Sequence, residues 1–265
     1  MPQGSERGVV TVGVDLSSQP KDTAVCIISW RHGTAEVHAL SCGHLAGQVL
    51  DDDALVALMK DADKVAINAP FGWPEPFIRA ISAGTGDWPL DPGEPRAPLE
   101  HRTTDVLVRD RTGKTPRSVT TDWIAHCAMR CGAILAAVGS ARDGSGWAVE
   151  AYADVALRCW LPALFAGDLQ SYKAKNSSDA RRRREELLAA LLDELGDALI
   201  ITEQQRVNIA YSDDCLEALV CALVARSAAK QLTLLPETPE LQALALVEGW
   251  IHVPRPSSLR QLASP

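Results

Sequence analysis

The chain has 265 residues, 46% of them hydrophobic, and a formal net charge of −8. That is apolar material for one large α/β domain or two small ones, and it excludes a disordered chain. The negative charge opposes broad adhesion to a phosphate backbone, apolar runs such as residues 133–138 are too short to cross a bilayer, and residues 1–7 lack the build of a secretory leader, so a cytoplasmic protein without membrane contact is expected.

Residues 8–15, 23–30 and 34–41 predict three strands rich in β-branched and aliphatic residues. Gln19-Pro20-Lys21-Asp22 and Arg31-His32-Gly33 are short connections, which makes the three an antiparallel meander. Residues 52–62 carry Leu55, Leu58 and Met59 at helical spacing, and a strand over residues 64–68 follows, so the first quarter spells βββαβ. Residues 71–99 then turn rich in Gly, Pro and Trp and read as a lid or substrate-facing insertion, with an ordered surface excursion as the alternative.

A helix is predicted over 119–138, with Ile124, Cys127, Ala128, Cys131, Ile134 and Leu135 on one face. A short strand over 147–151 and a leucine-striped helix over 181–195 come next. Residues 214–229 are apolar almost all round, which predicts a helix buried on most sides, and residues 248–254 read as an edge strand ended by proline. The seven cysteines, at 26, 42, 127, 131, 159, 215 and 221, sit mostly among aliphatic residues and read as reduced core thiols. Cys127 and Cys131 lie one helical turn apart, with no second pair at zinc-like spacing.

Four polar positions interrupt this apolar framework. Asp15 closes Gly13-Val14-Asp15, Asn68 closes Ala66-Ile67-Asn68, Glu150 closes Ala148-Val149-Glu150, and Asp214 opens Asp214-Cys215-Leu216-Glu217. Such residues converge only if a sheet brings its strand ends together, and clustered carboxylates repel unless a cation sits among them. The pattern points to a divalent-metal site; oxygen donors suit Mg2+ or Mn2+, and no histidine shares these motifs to favour zinc. Plainer roles exist for each: Asp15 bonding the Ser17-Ser18 turn, Asn68 as a turn residue, Glu150 paired with Arg158 or Lys173, and Asp214 as an N-cap with Glu217 at N3. Two basic segments could offer local patches for nucleic acid: Arg102, Arg109, Arg111, Lys114 and Arg117, then Lys173, Lys175 and residues 181–184. Four arginines opening a helix also read as a solvated face.

The order of elements, with Ile67-Asn68-Ala69-Pro70-Phe71-Gly72-Trp73-Pro74, Arg102-Thr103-Thr104-Asp105, Val149-Glu150-Ala151-Tyr152, Tyr172-Lys173, Asp213-Asp214-Cys215-Leu216-Glu217-Ala218 and Glu248-Gly249-Trp250-Ile251, resembles the RNase H-like superfamily. Within it the chain is similar to a family of predicted nucleases, domain of unknown function 429. The resemblance implies a single RNase H-like domain over 1–265: a mixed central sheet of three antiparallel and then parallel strands, flanked by helices, with 71–117 as an insertion or lid. It implies a two-metal-ion nuclease or phosphodiesterase using Mg2+ or Mn2+. Asp15 would bridge the metals, Asn68 would offer an oxygen, Glu150 would be an additional acid, and Asp214 and Glu217, on one face of the final helix, would be the last ligands, with Asp15, Glu150, Asp214, Glu217 and Lys173 as the catalytic set. Asn68 stands where relatives carry an acid, and Glu217 where they carry aspartate. Lys173, Arg102 and Arg109 would stabilise charge on the phosphoryl group. Two other readings stand beside this one: a weakened module that binds nucleic acid or protein without cleaving, supported by Asn68, and an actin-like kinase, which would need a second phosphate loop.

Overall fold

Alternating aliphatic residues in the first 42 positions form the meander β1 (Val9–Asp15), β2 (Ala24–Arg31) and β3 (Thr34–Cys42). β4 (Lys64–Asn68) and β5 (Ala148–Glu150) extend it on one side and the two-residue β6 (Leu199–Ile200) on the other, in the order β5-β4-β1-β2-β3-β6. β1, β4 and β5 are mutually parallel, β2 is antiparallel to both its neighbours, and β6 runs parallel to β3. The computed structural model describes residues 8–46, 49–83, 88, 90–91, 93–166, 171–174 and 177–264. Residues 1–7, Gly84 to Asp87, Pro89, Pro92 and Lys175, each part of an expectation above, lie outside the described residues.

Helices cover both faces of the sheet. In chain order they are α1 (Gly43–Ala46), α2 (Asp52–Met59), α3 (Glu75–Ser82), α4 (Ala97–Glu100), α5 (Thr103–Thr112), α6 (Ile124–Val138), α7 (Ala153–Trp160), α8 (Ser178–Leu195), α9 (Glu203–Tyr211), α10 (Asp213–Ala229) and α11 (Pro239–Glu248). Val12 and Val14 point into a core with Leu55 and Met59 of α2 and Ile134 and Leu135 of α6. The opposite face of β1, carrying Thr11 and Gly13, meets α10. A Cβ at Gly13 would lie 2.1 Å from the amide nitrogen of Ala222 and 2.2 Å from the carbonyl oxygen of Ala218, so only glycine lets α10 lie on the strand. Residues 215–225 of α10 are buried without interruption, as its all-round apolar sequence requires.

Several boundaries differ from the sequence reading. The helix expected from 119 starts at Ile124, and α8 starts at Ser178, where the Ser177 side chain accepts from the Ala180 amide. Residues 248–254 do not form a strand: α11 runs to Glu248, and only isolated bridges follow, Ile251 with Glu150 and Pro254 with Thr233. The Gly-, Pro- and Trp-rich stretch over 71–99 holds α3 and most of α4 among its described residues. α7, α9, α11 and β6 were not anticipated. No helix among the described residues is long and apolar enough to cross a membrane. All seven cysteines are free, and Cys26, Cys42, Cys131, Cys215 and Cys221 are buried.

Candidate metal centre

Parallel pairing of β1 with β4 sets Asp15 directly beside Asn68, and β5 brings Glu150 to the same edge. Contact of α10 with Gly13 carries the first turn of that helix over these strand ends. The result is a cleft of about 380 Å³ lined by Asp15, Asn68, Glu150, Lys173, Asp213, Asp214 and Glu217, with Arg102, Tyr152 and Arg117 also on its wall. Of the residues singled out in the sequence, Arg109 is absent from this lining: it is exposed on α5 and pairs with its neighbour Asp110 at 3.0 Å.

The centre of the cleft is a chain of close polar contacts. The Asn68 amide nitrogen donates to Asp15 Oδ1 at 2.7 Å and to Glu217 Oε2 at 3.2 Å, tying the two carboxylates together. Asn68 thus turns its donor, not its oxygen, toward the acids; the oxygen accepts from the Ala153 amide at 3.5 Å. This orientation sets a donor against both carboxylates, where the sequence expectation was a ligand through oxygen. The other Glu217 oxygen receives the Tyr172 hydroxyl at 2.5 Å and the Lys173 ammonium at 2.6 Å. Burial acts to lower the Lys173 ammonium, but Glu217, with Asp15 and Asp154 behind it, outweighs that and holds it above its ordinary value.

Burial pushes the Asp15 carboxyl well above the usual carboxylate range. Repulsion from Glu217 and then Asp214 adds to this, while Lys173 and the Asn68 hydrogen bond pull the other way. Asp213 is raised as well, by burial and then by Glu217. The expected capping role of Asp214 belongs instead to Ser212, whose hydroxyl accepts from the Cys215 amide. Asp214 is therefore not consumed by the helix end. Its Oδ2 accepts from Ser212 Oγ at 3.4 Å and lies 3.8 Å from Cys42 Sγ and 3.7 Å from His44 Nδ1.

Glu150 is differently placed. Arg102, 2% exposed, spans it with two hydrogen bonds of 2.8 Å, and the Phe71 amide donates to the same carboxylate at 2.9 Å. Arg102 also binds Asp105 through Nε and Nη2 and the Glu248 carbonyl through Nη1. All five guanidinium N–H groups are then engaged, leaving none to donate to a phosphate. The expected substrate contact of Arg102 is corrected on that ground. Glu150 is ion-paired, but with Arg102 and not with Arg158 or Lys173, and both of its oxygens are taken. The Glu248 carboxylate completes this wall, accepting from the Glu75 amide at 2.9 Å and the Thr103 amide at 2.7 Å, at the N-termini of α3 and α5.

The second basic segment is mostly structural too. Arg184, 2% exposed, donates to the Tyr172 and Ala210 carbonyls and so fixes the Tyr172-Lys173 pair against Glu217. Arg183 binds the Leu164 carbonyl and Glu186, and Arg181 and Arg182 pair with acids of their own helix. Lys114 pairs with Asp154 at 3.1 Å.

Sequence reasoning passed over Asp213, one turn before Glu217, and the Cys42 and His44 pair. Asp213 was legible as the (i, i+4) neighbour of Glu217. Nothing in spacing links residues 42 and 44 to residue 214. A family model described as "Protein of unknown function (DUF429)" matches residues 13–241. No curated protein and no solved structure matches the chain.

Proposed function

Since the chain belongs to this family of unknown function, DUF429, across residues 13–241, we propose its activity from its own residues: it is a divalent-metal-dependent phosphodiesterase, a nuclease of RNase H-like fold. A meander followed by parallel strands, with one buried helix laid across the first strand, supports that fold assignment. The observation that carries the activity is the meeting of Asp15, Asp213, Asp214 and Glu217 at one cleft, with Asp15 pushed up by burial and then by Glu217 and Asp214. Carboxylates gathered this way cost free energy that a hard cation relieves.

The donor set is oxygen-rich and fits Mg2+ or Mn2+, which Asp15, Asp214, Asp213 and Glu217 would hold. Such ions, when bound, activate water and stabilise the leaving oxygen of a phosphodiester. Lys173, held charged beside Glu217, supplies a fixed positive charge to a phosphoryl group entering the cleft. Arg117, 70% exposed at the rim, is placed to meet the next phosphate along a strand. Nucleic acid is the substrate class that Lys173 and Arg117 on the cleft wall favour, since a chain of net charge −8 meets a phosphate backbone only where positive side chains are gathered locally.

A second reading, a module that binds without cleaving, is favoured by one specific observation. The Asn68 amide occupies the space between Asp15 and Glu217, where a cation would otherwise balance them. Melting curves with manganese decide between the outcomes. Saturation to about a hundred times Kd stabilises a folded protein by about 2.7 kcal/mol, and that shift is expected in wild type and lost in Asp15→Asn. Metal-dependent cleavage of single-stranded, duplex or branched DNA or RNA, abolished in Asp15→Asn, is the expected activity. A manganese shift without cleavage of any of them selects the binding module. No shift, or an equal shift in Asp15→Asn, overturns the phosphodiesterase.

A further inference from the structure

We propose that Cys42, His44 and Asp214 form a second metal site, for zinc or a similar borderline transition ion, on the flank of the cleft. The three donor atoms lie close enough to share one ion: Cys42 Sγ is 3.0 Å from His44 Nδ1 and 3.8 Å from Asp214 Oδ2, and Nδ1 is 3.7 Å from Oδ2. A tetrahedral zinc ion with ordinary bond lengths separates sulfur, imidazole and carboxylate donors by about 3.3–3.6 Å. The observed edges straddle that range, so sub-ångström shifts close the set around an ion. A thiol, an imidazole and one carboxylate oxygen are the donors of zinc chemistry, whereas Mg2+ takes oxygen alone.

The fold builds this arrangement from three elements. β3 ends at Cys42, and α10 brings Asp214 to it across 172 residues of sequence. Between the two near ligands stands Gly43, where a Cβ would come within 2.5 Å of the Lys21 carbonyl oxygen. That close approach turns the chain tightly enough for residues 42 and 44 to address one point. Ser212 Oγ donates to Asp214 Oδ2 at 3.4 Å and to Cys42 Sγ at 3.9 Å, an outer-shell contact to two of the three ligands. Cys42 is buried, while the His44 side chain is 37% exposed, which gives an ion its entry and leaves the fourth position to water. With three protein ligands and one open position, the site is of the catalytic or exchangeable kind.

Titration of the full-length protein with Co2+ tests this without any assay of activity. Bound cobalt is expected to show visible bands of tetrahedral intensity and a near-ultraviolet sulfur-to-cobalt charge-transfer band, and Zn2+ should displace it. Cys42→Ser should abolish the charge-transfer band, and the surface variant His44→Ala should lower Co2+ affinity by at least about tenfold, the smallest loss that even outer-shell changes bring. Asp15→Asn should leave both signals unchanged, because Asp15 belongs to the oxygen-donor centre. Loss of the cobalt spectrum in Asp15→Asn would place the ion in the main cleft and overturn the second site. So would an unaltered spectrum in Cys42→Ser or His44→Ala. A missing manganese shift beside an intact cobalt spectrum would defeat the phosphodiesterase reading alone.

Discussion

Asn68 contributes two hydrogen bonds to carboxylates and no charge, and its replacement by aspartate acts in opposite directions with and without metal. Hydrogen bonds to charged groups contribute about 1.5–3 kcal/mol each, so Asn68→Asp, losing both and adding a third acid, should lower the melting temperature in EDTA. In saturating manganese the added charge should tighten binding by about 1–3 kcal/mol and recover part or all of that loss. Melting curves of both proteins in EDTA and in manganese check the reversal. An equal deficit in both conditions would show that residue 68 does not face the ion. Asp15, Asn68 and Asp214 were legible because each ends or begins an apolar element. The partner of Glu150 was not: Arg102 lies 48 residues earlier, and no periodicity ties one loop-borne arginine to one strand end. Breaking such a buried pair costs about 3–5 kcal/mol, so a large effect of Arg102 substitution on activity would report stability before it reported catalysis.

At the scale of elements, the site depends on the distance between β1 and α10. Gly13→Ala places a methyl group against the backbone of residues 218, 221 and 222, which no side-chain rotation can relieve. The expected cost is about 3 kcal/mol, the upper end for overpacking, measured by urea denaturation. Manganese binding should weaken together with it, because the first two turns of α10 carry Asp213, Asp214 and Glu217. A destabilised variant with unchanged manganese affinity would mean that the helix shifts without moving those acids. The sheet was readable from residues 8–68 since alternation and short turns determine a meander almost uniquely. α9 escaped because its sequence lacks an apolar stripe, although Thr202 and Gln205 form a capping box that marks its start. Thr238 before Pro239 marks α11 in the same way. β6, at two residues, carries no periodicity at all.

For the molecule as a whole, the raised Asp15 carboxyl links stability to pH. The folded form holds this proton more tightly than the unfolded chain, whose aspartate pKa is about 3.9. Its contribution is therefore complete below that value and is lost as pH rises through the folded pKa. Measured as wild type minus Asp15→Asn in EDTA, the difference in unfolding free energy should decline from about pH 4 upward. Manganese should flatten the decline by taking the proton's place, and its affinity should climb over the same interval. A difference that rises with pH would show that Asp15 is stabilised as a carboxylate by the folded protein.

The Glu248 carboxylate that holds the N-termini of α3 and α5 also sets an order in time. On a ribosome the chain emerges from its N-terminus, so α3 and α5 are exposed long before residue 248 can reach them. Arg102 must wait 48 residues for Glu150 and 146 for the Glu248 carbonyl. Closing contacts over such separations is slow, and until then a buried arginine and two helix ends lack their partners. The meander and α2 can form early and wait; the wall of the cleft is completed only by its last contributor. An arrest of synthesis before residue 248 would thus yield a chain with its sheet strands made and its cleft open on one side.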